Sequence, residues 1–339
     1  MRVKQFFFIF LTIVILTACG GDELTEVPPP TVVPSHTPPP TATTIPTLST
    51  PLALLILPAN IDQTTSDLYQ KTVYDLALAS GFRFQVRNGI TPQDLADPNL
   101  KVVIALPPDP GVVNYAATAP NVQFLAVNIP DITAGGNVSV LAPNTQDELP
   151  AFLAGYTLAM LIDEYRVGML YPEGNPAATN AAAAFENGAH YYCGLCDGIY
   201  IDPIEYPTFQ AIPANEDPAK FGGYASILIT EQRVAGLYIY PSLASDDFLS
   251  YVGSQGVYLI GTSRPEPRPG GWVMTITPDT IKAIQTAWPQ LIAGQGGQSV
   301  QSPLGISDVD TGILSEAKLR VVQETLDALI AGRIRTTGP

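Results

Sequence analysis

Two histidines and three cysteines set a low ceiling on the chemistry open to this 339-residue chain. His36 lies in a Pro/Thr-rich stretch and His190 near the end of a helical pattern, so one imidazole remains for the rest of the chain. No Gly-x-Ser-x-Gly elbow accompanies it, and the strained turn that exposes a hydrolase serine is missing. There is no Gly-Lys-Ser/Thr loop to wrap a phosphate and no His-Glu-x-x-His helix to hold zinc. Acid pairs of the glycosidase kind leave no spacing signature, because they meet only in the fold. The expectation is a protein that is not an enzyme and carries neither metal nor cofactor, with a secreted hydrolase as the weakest alternative.

The cysteines divide by position. Arg2 and Lys4 precede an apolar run from Phe6 to Leu16, followed by Leu16-Thr17-Ala18-Cys19-Gly20. A positive start, a short apolar core and small residues before a cysteine are the parts of a secretory leader. The run is shorter than the roughly 20 residues a membrane span requires. Residues 1–18 are therefore expected to be cleaved and Cys19 to carry lipid, anchoring the protein to the outer face of the membrane without crossing it. The remaining pair, Cys193 and Cys196, reads Cys-Gly-Leu-Cys. In an oxidising compartment its simplest state is a local disulfide. A redox-active pair wants its first thiolate at a helix N-terminus, whereas this pair follows a helical segment. Two ligands also fall short of the four of a structural zinc site.

Residues 25–51 contain 17 Pro or Thr among 27 and nothing to build a core. Residues 19–51 are expected to form an extended tether, with a ligand for a proline-reading module as the alternative. Loss of Arg2 and Lys4 with the leader takes the formal net charge from −15 to −17. Such a surface repels phosphate backbones and anionic lipid, so nucleic acid is not an expected partner and membrane contact is expected through the lipid only. The hydrophobic share of 46% is enough for a sizeable core, and a monomer is expected.

From Leu52 onward, strand-like apolar runs alternate with amphipathic or alanine-rich segments. Leu52–Leu57, Phe82–Val86, Lys101–Leu106 and Val122–Val127 read as strands, with a helix opening at Ser66 or Asp67. A helix from about Asp147 to Ile162 restarts the pattern. Thr145 and Glu148 resemble a capping box there, while Pro150 must fall in the first turn. Strands are then expected at Val167–Tyr171, Ile199–Ile201, Val234–Tyr240 and Val257–Gly261, and helices at Ala177–Tyr192 and Phe221–Thr230. Thr277-Pro278 has the form of a cap followed by a first-position proline, and Ser315–Ala331 reads as a final amphipathic helix. Gly294-Gln-Gly-Gly297 resembles a dinucleotide turn but follows a helix, and is expected to be a flexible helix exit. Two βα runs in succession predict an α/β fold of two doubly wound, Rossmann-like lobes with a central cleft. The substrate-binding region spans 52–335, one lobe over about 52–142 plus 277–300 and the other over about 143–276 plus 303–335.

Ligands of open α/β sheets meet the loops at the carboxyl ends of strands. That places Asn60, Asp62, Asp109, Glu173, Asn175, Tyr240, Ser242 and Arg264 as ligand-binding candidates. Each also has a plainer reading, since Asn, Asp and Ser favour caps and turns for backbone reasons.

Three stretches carry a family resemblance. Ala119-Pro-Asn-Val-Gln-Phe-Leu-Ala-Val127 resembles the fourth strand of the basic membrane protein family, the nucleoside-binding lipoproteins of ABC importers. Asn137-Val-Ser-Val140 with Ala151-Phe-Leu-Ala-Gly-Tyr156, and Arg166-Val-Gly-Met-Leu170 with Phe185-Glu-Asn-Gly-Ala189, resemble the segments that follow. The resemblance implies the type I periplasmic binding protein fold, a small-molecule, nucleoside-like ligand and an ABC permease as partner. By analogy it adds Tyr69 and Phe152 as candidates. It is densest between about 119 and 190. The chain departs from the family pattern at Leu68, where a stacking Phe is usual, at Tyr69 in place of a polar Asn, at Thr262-Ser263 in place of Val-Asp, and at Thr275 in place of Lys. The function expected is solute capture by lobe closure on behalf of an importer; a stalk-mounted sensor or interaction domain without a transport role is the alternative.

Overall fold

The computed structural model describes residues 49–143, 146–196 and 204–337. Cys19, the leader and nearly all of the tether lie outside the described residues, as do Thr145 of the expected capping box and the expected strand at Ile199–Ile201.

Apolar runs supply the strands. β1 (Leu52–Ile56) is buried along its whole length, and its residues serve both faces. Leu52, Leu54 and Ile56 enter one apolar cluster, Ala53 and Leu55 another. A strand covered on both sides has no reason to alternate polar with apolar residues. α1 (Gln63–Ala79) begins earlier than the expected Ser66 or Asp67, because Asp62 caps it by accepting the Thr65 N–H at 2.9 Å. β2 (Arg83–Arg87), α2 (Pro92–Leu95), β3 (Leu100–Ala105), α3 (Val112–Thr118), β4 (Gln123–Val127) and β5 (Val138–Ala142) complete the first run. The Asn137 side-chain amide lies within hydrogen-bond distance of the carbonyls of Ala116, Ala119 and Val122, at 3.2, 3.1 and 2.7 Å, tying the exit of α3 to β5.

The second run comprises α4 (Glu148–Leu161), β6 (Val167–Pro172), α5 (Pro176–Cys193), β7 (Thr208–Ile212), α6 (Phe221–Ser226), β8 (Gly236–Ile239), α7 (Asp246–Ser254), β9 (Tyr258–Gly261) and β10 (Trp272–Pro278). α4 is buried from Pro150 through Ala159, and Pro150 falls in its first turn, where a missing N–H costs little. It crosses α5 at two glycines: a Cβ on Gly155 would collide with the Phe185 carbonyl, and one on Gly188 with the Phe152 carbonyl. α6 widens into a π-turn over Ile227–Glu231. Cys193 and Cys196 are disulfide-bonded at the end of α5.

Then α8 (Thr280–Ile292) and β11 (Ser299–Gln301) rejoin the first half, and β12 (Leu304–Ser307) and α9 (Glu316–Ile330) the second. The helix expected to start at Thr277-Pro278 starts later. Pro278 is the last residue of β10, opposite Leu304, and Asp279 is the cap, accepting the Lys282 N–H at 2.9 Å. Local pattern favoured Thr-Pro, but β10 needs those residues for its pairing with β12. Of the glycines after α8, Gly294 at φ +73° has open space around it, and the next two are packed. Gly296 lies against Gln123 and Asn137, and Gly297, at φ +77°, against Gly136, so neither position has room for a side chain.

Among the described residues the strands form two six-stranded sheets, ordered β11-β5-β4-β3-β1-β2 and β12-β10-β9-β8-β6-β7. Each contains the doubly wound order 2-1-3-4-5 of parallel strands, with β12 antiparallel to β10. This is the architecture of type I periplasmic binding proteins: two Rossmann-like halves in one chain. The chain passes between the sheets after β5, after β10 and after β11. β5 and β10 both leave from their carboxyl ends, so the carboxyl edges of the two sheets face one another across the crossings. The crossings are tied by backbone hydrogen bonds, Ser302 N–H to the Ala142 carbonyl at 2.9 Å and Asp279 N–H to the Pro303 carbonyl at 2.6 Å.

Candidate functional site

The facing carboxyl edges hold the loops on which binding residues were expected. Several of those side chains are engaged by their own backbone. Asp62 caps α1, and the Thr65 hydrogen bonds hold its carboxyl below the usual range. Asp109 accepts from the N–H groups of Gly111 and Val112, both at 2.9 Å. Asn175 caps α5 through Ala177 and Ala178 at 3.0 and 3.2 Å. Asn60, Glu173 and Ser242 are exposed on the loops after β1, β6 and β8. Phe152 is 1% exposed, and its ring lies 5.8 Å from that of Tyr191 in the second half.

On the first half, three elements converge. Tyr69 of α1 is half-buried, and that burial pushes its phenol up while a hydrogen bond from Thr280 opposes the shift and nearby Asp279 adds to it. Asn128, which follows β4 at φ 52°, reaches the Thr280 hydroxyl at 3.5 Å. Asn128 and Thr280 were missed in sequence. The signal for Asn128 is its place directly after an apolar strand; Thr280 carries none, because Thr277-Pro278 just before it already has the form of a cap and first-position proline.

On the second half, Tyr240 is 5% exposed and its hydroxyl donates to the Asp147 carboxylate at 2.5 Å. Burial, then the Asp147 bond, raises the Tyr240 phenol above its ordinary value. Tyr238, two residues back on the same strand face, is fully buried, and among the described residues its hydroxyl has no hydrogen-bond partner. Its phenol is pushed up by burial and by nearby Asp147 and Tyr240. Further along the edge, Arg264 pairs with Glu266 and lies 3.6 Å from Asp308. Asp308 accepts from Thr275 at 2.8 Å, and Thr275 accepts from the Trp272 indole at 3.1 Å. Arg264 and Thr275 are thus absorbed in one network. Among the described residues no group of three His, Cys, Asp or Glu could hold a metal ion, and no helix is long and apolar enough to cross a membrane.

No protein-family model matches this sequence, and no curated protein matches it. Solved structures are similar in fold. A transcriptional activator of the comK gene from Bacillus halodurans is 11% identical over 84% of this chain and 99% of its own, with a TM-score of 0.49. An ABC transporter solute-binding protein from Aeropyrum pernix K1 is 16% identical over 84% and 92%, TM-score 0.42. A periplasmic ribose ABC transporter protein from Conexibacter woesei is 14% identical over 81% and 95%, TM-score 0.45. None of them lends its function to this chain.

The loop after β7 holds a third polar group. The Glu216 carboxylate accepts from Lys220 at 2.8 Å, from Tyr224 at 2.8 Å and from the Asp217 N–H at 3.1 Å. The Lys220 bond foremost, then Tyr224, holds its carboxyl down from 4.5 to about 2. A depressed folded value means the stability it contributes is present above about pH 4.5 and lost as pH falls toward 2. Glu216→Gln is expected to flatten that acid limb and leave stability at pH 7–8 little altered relative to its own acid value. Urea midpoints measured from pH 7 down to 2 for both proteins check this; parallel curves would contradict it.

Proposed function

We propose that this chain is a lipid-tethered, extracytoplasmic solute-binding protein, a divergent relative of the basic membrane protein family, that closes its two halves on a small molecule and presents it to an ABC importer. The observation that carries the reading is the arrangement of the crossings. Three short segments join two doubly wound sheets whose carboxyl edges face each other, and those edges are where such sheets bind ligands. Short crossings, two of them joined by the Asp279 N–H to the Pro303 carbonyl, are suited to a hinge, and each half has apolar clusters of its own, so the halves can move as units. The leader pattern ending at Cys19 and the Pro/Thr-rich tether support a place outside the membrane.

Closure costs nothing covalent. A solute touching both edges binds the closed form better than the open one and shifts the population between them. The family resemblance favours a nucleoside-like solute, while Thr275, engaged by Trp272 and Asp308, departs from the family's lysine.

The test is a thermal-shift screen of the mature chain against nucleosides, bases, sugars and amines, with X-ray scattering on any hit. At a hundred-fold excess over Kd a true ligand stabilises by about 2.7 kcal/mol, which raises Tm by roughly 4 °C in a protein of this size. The radius of gyration is expected to fall on binding. No shift with any solute and no contraction would remove the reading. Cys19→Ser, expressed in a bacterial host, is expected to move the protein from the membrane fraction to the soluble one.

A further inference from the structure

Asp147 occupies the cap position of α4 but does not cap it. It makes no side-chain bond to the helix's own N–H groups, and its carboxylate turns instead to Tyr240, 93 residues away. Glu148 follows directly, so two carboxylates stand at one helix start. The positive end of the helix dipole helps keep such groups ionised without a cation nearby. Among the described residues no lysine or arginine forms an ion pair with either. The arginines on the neighbouring loop are spoken for, Arg264 by Glu266 and Asp308, Arg268 by Asp310 at 3.5 Å. Behind the Asp147–Tyr240 pair stands the buried, unpartnered hydroxyl of Tyr238, projecting from the same face of β8. A buried hydroxyl without a partner costs on the order of 1–3 kcal/mol, so this strand face holds polar capacity that no protein group among the described residues takes up.

We propose that Asp147, held by Tyr240 and backed by Tyr238, is the anionic anchor of a subsite for a positively charged, amine-bearing solute. This deepens the solute-binding reading and rests on it. An ammonium group supplies what the site lacks: a charge opposite to the carboxylates and N–H donors for the Asp147 oxygen not taken by Tyr240. An anionic solute meets the like charges of Asp147 and Glu148, which no ion pair among the described residues offsets. Asp147 lies just beyond the first crossing, so closure of the halves moves it relative to the first sheet. Tyr238 lies within electrostatic range of Asp147 and Tyr240, so its hydroxyl dipole acts on the solute through that pair. Tyr238 and Tyr240 are positioning residues; Asp147 is the group that touches the solute.

Isothermal titration of the mature protein with putrescine, spermidine, choline and arginine, beside neutral ribose and adenosine and anionic citrate, tests the assignment. A cationic probe is expected to bind, more weakly as salt rises. Asp147→Asn is expected to weaken it ten-fold or more, and Tyr238→Phe three- to ten-fold. Tyr238→Phe removes only an unsatisfied hydroxyl, so a purely structural role predicts equal or higher stability with unchanged affinity, and that result would overturn the role given to Tyr238. It also decides the matter should Asp147→Asn not fold. Cation binding unaffected by Asp147→Asn overturns the subsite. Binding of neutral or anionic solutes alone overturns the subsite and leaves solute capture standing. Binding of nothing overturns both.

Discussion

Gly188→Ala is expected to destabilise the chain by about 3 kcal/mol or more, at the upper end of what overpacking costs. The new methyl would lie well inside contact distance of the Phe152 carbonyl, with the Phe152 Cα close behind. Both obstacles are backbone, in a helix buried from Pro150 to Ala159. No side chain can rotate away, so α4 and α5 must part, and Gly155 opposite Phe185 shows the same contact from the other helix. The control is Gly223→Ala in α6, where a Cβ meets nothing within 4 Å. There the lost backbone entropy of glycine predicts a gain of roughly 0.5–1 kcal/mol. Urea denaturation of both variants measures the contrast. Equal midpoints would mean that the two helices do not touch in this way.

Phe152→Ala is expected to cost about 3–5 kcal/mol, the range for emptying a buried phenylalanine site. The ring is 1% exposed, belongs to the largest apolar cluster among the described residues, and has the exposed Tyr191 beside it at 5.8 Å. Solute affinity of the folded fraction is expected to stay within about two-fold, since ring and cleft do not meet; this corresponds to less than ~0.5 kcal/mol. The opposite pattern, stability kept and affinity lost, would return Phe152 to the cleft.

Much of the fold was legible. β1, β3, β4 and β6 are apolar runs covered on both faces, and α9 shows its flanking Ser315 and Gly332 and its periodic Leu319, Val322, Leu326 and Leu329 in the chain itself. β11 and β12 were not, because strands of three and four residues on sheet margins carry no burial pattern of their own. β7 was overlooked for a similar reason: only Ile212 of its residues is buried. The loops of the candidate site were placed by strand order, but which of their side chains face a partner and which cap a helix was not. Asp62, Asp109 and Asn175 look alike in sequence to residues that contact a ligand, and only the geometry shows them accepting from neighbouring N–H groups.

Element type and succession are written within a few residues: a cap with the helix it starts, an apolar run with the faces it must cover, a glycine with the turn it allows. The alternation that yields two doubly wound sheets follows from such short-range information. Partners far apart in the chain do not. Tyr240 meets Asp147 across 93 positions and Asn128 meets Thr280 across 152, and those meetings depend on strand order and on the path of three crossings. Register decides which edge a loop occupies, and packing decides whether a ring such as Phe152 turns in or out. Both are properties of the assembled sheets, because they are fixed by contacts between segments whose separation in sequence carries no physical signal.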